Sequence, residues 1–477
     1  MRTKQGSILI GLLWCLALLS LIVVGVLHTA RMDLLVVKNH GDRIQAHYLA
    51  LAGIEKAKAL LYTEARERSR TSRNHSGQLY DTPDQFREVK LGRGQFSILR
   101  RAKPDEGGGI LYGVSDEESR LNINTAAQEE LAKLDGMTPE VAAAIIDWRD
   151  SDNTITPGGA EIEYYSALRP PSQPRNGPLL TLRELLMVRG VSSNLLLGRD
   201  KKLNGMLGEG EEGWADIRDM GWAALLTVDS TDDNVNAAGQ DRVDLQSADE
   251  AALTGVRGVT SDIAKAIVAH RGQNRFNSIA DLLDVRAVQD QNQQTAQLVA
   301  QPNARASQPA PAPAPAPNPS PSSPAPGPDS TPNSPAPGQT PQAGTGPTVV
   351  SEDLLKDIAD DLTAQSAKEQ AGLVNINTAS LEVLASLQGV DRELAQAIIA
   401  HRQSDGFFSN IAGLLKVPGL SRDLFKQLAP KLTARSETFR VISEGRVSST
   451  GTRQRIQEIV HVGLQQVRTV SYREDDL

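Results

Sequence analysis

Between Asp150 and Pro178 the chain gathers Asp150, Asp152, Asn153, Gly158, Gly159, Glu161, Glu163, Tyr164 and Tyr165, with neither His nor Cys among them. Clustered carboxylates on a glycine-bearing loop suit a hard cation. Calcium takes six to eight oxygens in a flexible geometry, whereas zinc or copper would call for nitrogen or sulfur. On that chemistry Asp150, Asp152 and Glu161 would bind the ion directly, with backbone carbonyls completing the set. A solvated acidic loop is the alternative. A second acidic stretch, Asp229, Asp232, Asp233, Asn234 and Asn236, reads as a turn rather than a metal site. No catalytic set emerges, since His28, His40 and His47 fall on the first helix and His461, on a strand, reads as a surface residue. The chain is expected not to be an enzyme.

The elements that carry the loop are repeats. Leu121 to Thr125, Val243 to Ser247 and Val374 to Thr378 each precede a glycine by the same spacing (Gly136, Gly258, Gly389), and Arg149, Arg271 and Arg402 follow at equal distances. Each unit predicts an N-cap at Thr125, Ser247 or Thr378, a short helix, a glycine turn and a second helix. Such units resemble helix-hairpin-helix modules, with second halves at 185–192, 282–288 and 414–421. The first is longer than the others by about 25 residues between Arg149 and Leu185, the acidic loop lying in this excess. Modules of this kind often bind DNA through backbone N–H groups at a second hairpin glycine. Here Thr138, Thr260 and Asp391 stand in its place. Residues 121–285 hold 26 acidic against 15 basic residues, which disfavours a polyanion, and the repeats read as packing modules.

The N-terminus is basic and short, and Ser7 to Leu27 then run without a charge, long enough to span a bilayer. A cleaved secretory signal fits poorly around Thr29 and Ala30, and Trp14 spoils a lipoprotein site at Cys15. An ordinary signal anchor remains open. A leader ending at Gly6 with the apolar helix retained suits the absence of proline over residues 7–80 and the stripe of Ala46, Leu49, Ala50, Gly53, Ala57, Leu60 and Leu61. The positive-inside rule places the bulk of the chain outside the cytoplasm. Strand patterns at 94–99, 109–114, 439–443 and 456–462 predict one antiparallel sheet built from both ends of the chain. Residues 302–347 hold 16 of the 26 prolines and read as a spacer. The net charge of -8 argues against non-specific polyanion binding, and the single cysteine, Cys15, excludes a disulfide scaffold and a cysteine-zinc site.

The leader ending in Gly6, the spanning helix, the run Asp116 to Thr125, the Gly159-Ala160-Glu161 loop with Tyr164-Tyr165, Asn176-Gly177-Pro178 and the terminal strands together resemble the K-type minor pseudopilins of type II secretion systems. The resemblance implies an α+β fold: a pilin-like long N-terminal helix packed on an antiparallel sheet, with an inserted all-α helix-hairpin-helix (SAM-like) domain. The expected boundaries are a leader at 1–6, a membrane helix at 7–29, its amphipathic continuation at 30–75 and the first part of the sheet at 76–120. The inserted domain follows at 121–290, a proline-rich linker at 291–350, a further unit at 351–435 and the last strands at 436–470. The resemblance also implies cleavage by prepilin peptidase between Gly6 and Ser7, and calcium held by Asp150, Asp152 and Glu161. It implies other minor pseudopilins (I and J types) and the major pseudopilin as partners, in the inner membrane with the bulk in the periplasm, and no nucleic acid. Most pilins have Glu at mature position five. Gly11 stands there, consistent with a tip subunit that has no neighbour above it. Material around 229–290 departs from the family pattern and has no assigned role. The alternatives are a membrane-tethered helix-hairpin-helix DNA-binding protein and a type IV pilus minor subunit.

Overall fold

The computed structural model describes residues 5–71, 77–200, 221–288 and 346–475. Residues 1–4 of the expected leader and most of the proline-rich segment lie outside them. The first element is a single helix, α1 (Gln5–Thr71), of 67 residues and about 100 Å at 1.5 Å per residue. From Leu9 its apolar first half is exposed. Burial begins at Ala46 and recurs at Leu49, Ala50, Ile54, Ala57, Leu61 and Ala65, the three-to-four spacing of one helix face.

After a one-turn helix, α2 (Pro83–Phe86), come the strands β1 (Val89–Leu91), β2 (Gly94–Arg101), β3 (Ile110–Leu111) and β4 (Ser115–Asp116). The chain then builds three helical units. In the first, β5 (Leu121–Asn122) leads to α3 (Gln128–Leu131) and α4 (Pro139–Arg149). The excursion carrying α5 (Ile162–Ser166) follows, then a 3-10 turn (Leu182–Met187), α6 (Ser193–Leu197) and β6 (Leu226–Thr227). After β7 (Thr231–Asp233) the second unit runs β8 (Val243–Asp244), α7 (Glu250–Thr254), α8 (Ser261–Arg271), a 3-10 turn (Ile279–Asp284), α9 (Glu352–Ile358) and β9 (Leu362–Thr363). Past β10 (Glu369–Ala371) the third repeats the plan: β11 (Val374–Asn375), α10 (Leu381–Ser386), α11 (Arg392–Ser404), a 3-10 turn (Ile411–Lys416), α12 (Arg422–Leu428) and β12 (Leu432–Thr433). In every unit the first and last strands pair in parallel, so each closes on itself. One continuous core runs through all three.

The chain ends in β13 (Thr438–Val447), β14 (Arg453–Val462) and β15 (Val467–Asp475). The main sheet is antiparallel in the order β1-β2-β13-β14-β15, with β3 on β2 and β4 on β13. Register is fixed by pairs such as Leu99 with Ile442 and Val441 with Glu458. The buried stripe of α1 packs on Ile98, Val441, Ile456 and Val460. The sheet drawn from both ends of the chain is therefore present, together with an edge strand, β15, that sequence patterning missed because its residues are mostly exposed.

Three expectations are corrected. The caps of the first helix of each unit are Ala127, Asp249 and Ser380, two residues beyond Thr125, Ser247 and Thr378. The shift arises because Asn122, Asp244 and Asn375 accept a bond from the amide two residues on, each at 2.9 Å, and turn the chain before the helix starts. The proline-rich segment does not separate two domains. It leaves the second unit after the 3-10 turn and returns just before α9, where Ala287 N donates to Pro347 O (2.9 Å) and Val349 N to Val285 O (2.9 Å). Residues 352–363 thus complete the unit begun at 243, and the unassigned material around 229–290 is the first half of that unit. Finally, His461 is not on the surface but 6% exposed.

Candidate metal centre and its setting

The acidic loop is anchored at both ends by aromatic packing. Trp148 near the end of α4 and Tyr165 in α5 are buried edge to face, ring centres 5.0 Å apart, and Trp148 Nε1 donates to Glu184 Oε1 at 3.2 Å. This brings the end of α4 against the start of α5. The carboxylates of Asp147, Asp150 and Glu161 each place an oxygen within 4.8 Å of the others. Asp147 and Glu161 are buried and Asp150 half-buried. Asp147 Oδ1 accepts from Thr156 N (3.0 Å), but its Oδ2, Asp150 Oδ1 and both oxygens of Glu161 meet no donor in good hydrogen-bond geometry. A side chain at Gly159 would strike Asp147 Oδ2, so the open space beside that oxygen depends on glycine.

Burial first, then the charges of Asp147 and Asp150, push the Glu161 carboxyl up to about 7. Burial, with Asp152 and Asp147, also raises Asp150. Three clustered carboxylates with four oxygens lacking a well-placed donor are costly. The donor set of hard oxygens, without nitrogen or sulfur, fits a calcium-like cation. Asp152 lies outside the tight group. It is exposed, its Oδ1 accepts from Thr154 N (2.6 Å), and its carbonyl accepts from Asn176 Nδ2 (2.9 Å). Asn176 also donates its backbone N–H to Trp148 O (3.0 Å), closing the loop over the helix end. Sequence reading missed Asp147, which sits inside the helical run Ala142 to Trp148. A lone carboxylate in an otherwise apolar helix segment was the available signal.

At the hairpins, helix caps occupy the position of the second glycine. Thr138, Thr260 and Asp391 cap the second helix of their units, accepting from Val141 N (3.3 Å), Ile263 N (3.4 Å) and Leu394 N (2.7 Å). The glycines before them, Gly136, Gly258 and Gly389, have φ of 74°, 97° and 77°, the left-handed turn that joins the helices. The evenly spaced arginines face inward. Arg149 donates to Ile123 O and Ala126 O, Arg271 to Leu245 O and Ala248 O, and Arg402 to Ile376 O (3.0 Å) and Ala379 O (2.9 Å). These donors hold each unit's first turn.

The second acidic stretch belongs to a buried ion-pair seam. Asp232 meets Arg435 (3.4 Å), Arg68 of α1 meets Glu437 (3.1 Å), and Asp233 meets His461 (3.3 Å). Nearby, Glu117 pairs with Arg440 at 2.7 Å. Burial, with the charge of Glu117, pushes the Asp229 carboxyl up to about 6. Asp233, Glu437 and His461 also lie close together, but Glu437 is engaged by Arg68 and by the Asp233 amide (2.7 Å), a closed network of protein partners. The seam joins the helical units to the end of α1 far from its apolar half, where Ser69 Oγ also donates to Ala238 O at 2.7 Å.

An N-terminal helix long and apolar enough to cross a membrane, continued onto an antiparallel sheet with helical modules inserted between its strands, defines a pilin-type subunit with a helical insert. Residues 115–198 match the family model for type II secretion system (T2SS), protein K, and 239–298 and 369–433 match the helix-hairpin-helix motif. The type II secretion system protein K of Pectobacterium carotovorum subsp. carotovorum is 26% identical over 308 residues, 63% of this chain and 85% of that protein. The chain is thus similar to the type II secretion system protein K family, whose model it matches over residues 115–198. ComE operon protein 1 of Bacillus subtilis is 38% identical over 73 residues, 15% of this chain and 36% of that protein. A chain solved in the GspK-GspI-GspJ complex from the enterotoxigenic Escherichia coli type 2 secretion system aligns over 91% of this chain and 98% of that one. Its identity is 12% and its TM-score 0.42.

Proposed function

We infer that the chain is a minor pseudopilin of type II secretion, a structural subunit that starts or caps the pseudopilus. The observation that carries the tip position is where the helical units sit. Arg68, Ser69 and the Gly239 turn pack together at the end of α1 opposite its apolar half. With α1 held in the membrane, three fused units cover the distal end and leave no room for a subunit stacked above. Gly11 in place of the usual acidic residue agrees, because a subunit with no upper neighbour lacks the amine that such a carboxylate would neutralise, and a lone carboxylate in lipid is expensive.

The same reading proposes cleavage between Gly6 and Ser7, an inner-membrane anchor with the bulk in the periplasm, and assembly with I-type and J-type minor pseudopilins and the major pseudopilin. Calcium is proposed for the loop, held by Asp147, Asp150 and Glu161, with Asp152 at the rim ordering the turn. Its charge would offset the repulsion of the three carboxylates. Coprecipitation of the full chain with the other minor pseudopilins, paired with a secretion assay in a strain lacking this chain, tests the reading. A chain that binds none of them and whose loss leaves secretion intact contradicts it.

A further inference from the structure

His461 lies on β14, directly across from Thr438 on β13 and from Arg468 on β15. Its Nδ1 is 3.2 Å from Thr438 Oγ1, and its Nε2 is 3.3 Å from Asp233 Oδ1. The Thr438 hydroxyl has one proton, which it donates to Thr231 O at 2.9 Å. Its oxygen is therefore left to accept from His461 Nδ1. The other ring nitrogen faces a carboxylate, which can only accept. Both nitrogens need a proton, so the geometry is satisfied by imidazolium and not by either neutral tautomer.

We propose that His461 is a proton-operated latch between the pilin sheet and the helical domain, its cationic form clasping Thr438 and Asp233 and so holding β7 on the sheet. The proposal does not depend on the tip assignment. β7 is otherwise tied down by its pairing with β10, by the hydrogen bond from Asp233 N to Glu437, and by Arg435, which pairs with Asp232 (3.4 Å) and donates to Asp233 O (2.9 Å). The charges around the ring come from every neighbouring element. Asp232 and Asp233 belong to β7, Glu437 and Arg435 precede β13, Arg68 comes from α1, and Arg468 faces the ring from β15. Burial and Arg468 oppose the charge on the ring, but the hydrogen bond and charge of Asp233, aided by Glu437, outweigh them and raise the imidazole above its usual value. The clasp is thus complete below about pH 6.5, the ordinary value for an unfolded histidine, and is lost as pH rises through the higher folded value.

Hydrogen exchange on the full chain in detergent tests this. After correction for intrinsic rates, amide protection in residues 231–235 should fall about tenfold between pH 6 and pH 8.5, the change that losing one hydrogen bond to a charged group gives. His461→Gln should remove that fall and leave protection low throughout, and Asp233→Asn should do the same while preserving the ring. Protection of β2 should not change with pH in any of the three proteins. Wild-type protection that is flat across this range, or a fall that persists in both variants, overturns the latch. Should one variant fail to fold, the wild-type profile and the other variant still decide.

Discussion

Replacing Glu161 with Gln should have opposite effects on stability with and without calcium. In the metal-free protein Glu161 faces Asp147 and Asp150 with oxygens within 4.8 Å. At an effective dielectric of about 20 each such pair repels by roughly 3 kcal/mol when both groups are ionised. Because burial and these neighbours hold the Glu161 carboxyl at about 7, the comparison belongs at pH 8, where the group is charged. Allowing for solvent access, Glu161→Gln should stabilise the calcium-free first unit by about 2–3 kcal/mol. With calcium at about 100 times its Kd the wild type gains about 2.7 kcal/mol by mass action, and the variant forfeits most of it. Thermal melts of the full chain in detergent, in chelator and in excess calcium, should show the variant melting several degrees higher in the first and lower in the second. The pH dependence carries its own sign. A carboxyl whose folded value is raised costs stability as pH climbs from about 4.5 towards 7, so the metal-free protein should be most stable on the acid side of that window. Calcium should reverse the trend, since it requires the ionised form. A Glu161→Gln shift of the same sign in both buffers refutes the metal reading and leaves an ordinary acidic loop.

Coexpression with prepilin peptidase should yield a mature chain beginning at Ser7, and intact-mass spectrometry checks it. Arg435→Ala should destabilise the junction by about 3–5 kcal/mol, because it leaves the buried Asp232 carboxylate without its cation, and denaturant melts measure the loss. Excising residues 289–345 and joining the ends through a short glycine turn should leave the melting temperature of the second unit nearly unchanged, because 287 and 347 are already hydrogen-bonded. Mobility shifts with duplex DNA should show no binding at physiological salt, since Arg149, Arg271 and Arg402 spend their donors on backbone carbonyls.

Much of this was legible in the sequence because it is written in periodicity. The stripe from Ala46 to Leu61 and the recurring Gly-to-Arg spacing both report burial, and burial leaves a pattern. β15 left none, because an edge strand covered on few sides has no reason to alternate. The third carboxylate of the loop was hidden for the opposite reason: Asp147 obeys the helix pattern, and only the fold of a segment fourteen residues later, where Glu161 lies, turns it into part of a site. His461 likewise looks unremarkable along the chain, since both of its partners arrive from other strands. The misplaced caps show local chemistry overriding a plausible motif. Threonine and serine are good caps, yet the Asx turn that begins three residues earlier delays the helix.

The parallel clasps β5-β6, β8-β9 and β11-β12 bring the entry and exit of each helical unit to adjacent positions. A module whose two ends meet can be copied, removed or interrupted within a gene without displacing what lies on either side. The second unit accommodates its long proline-rich excursion, and the first its acidic loop, on those terms. The head of this subunit is thereby free to diversify by duplication and insertion while the helix and sheet that dock it keep their geometry.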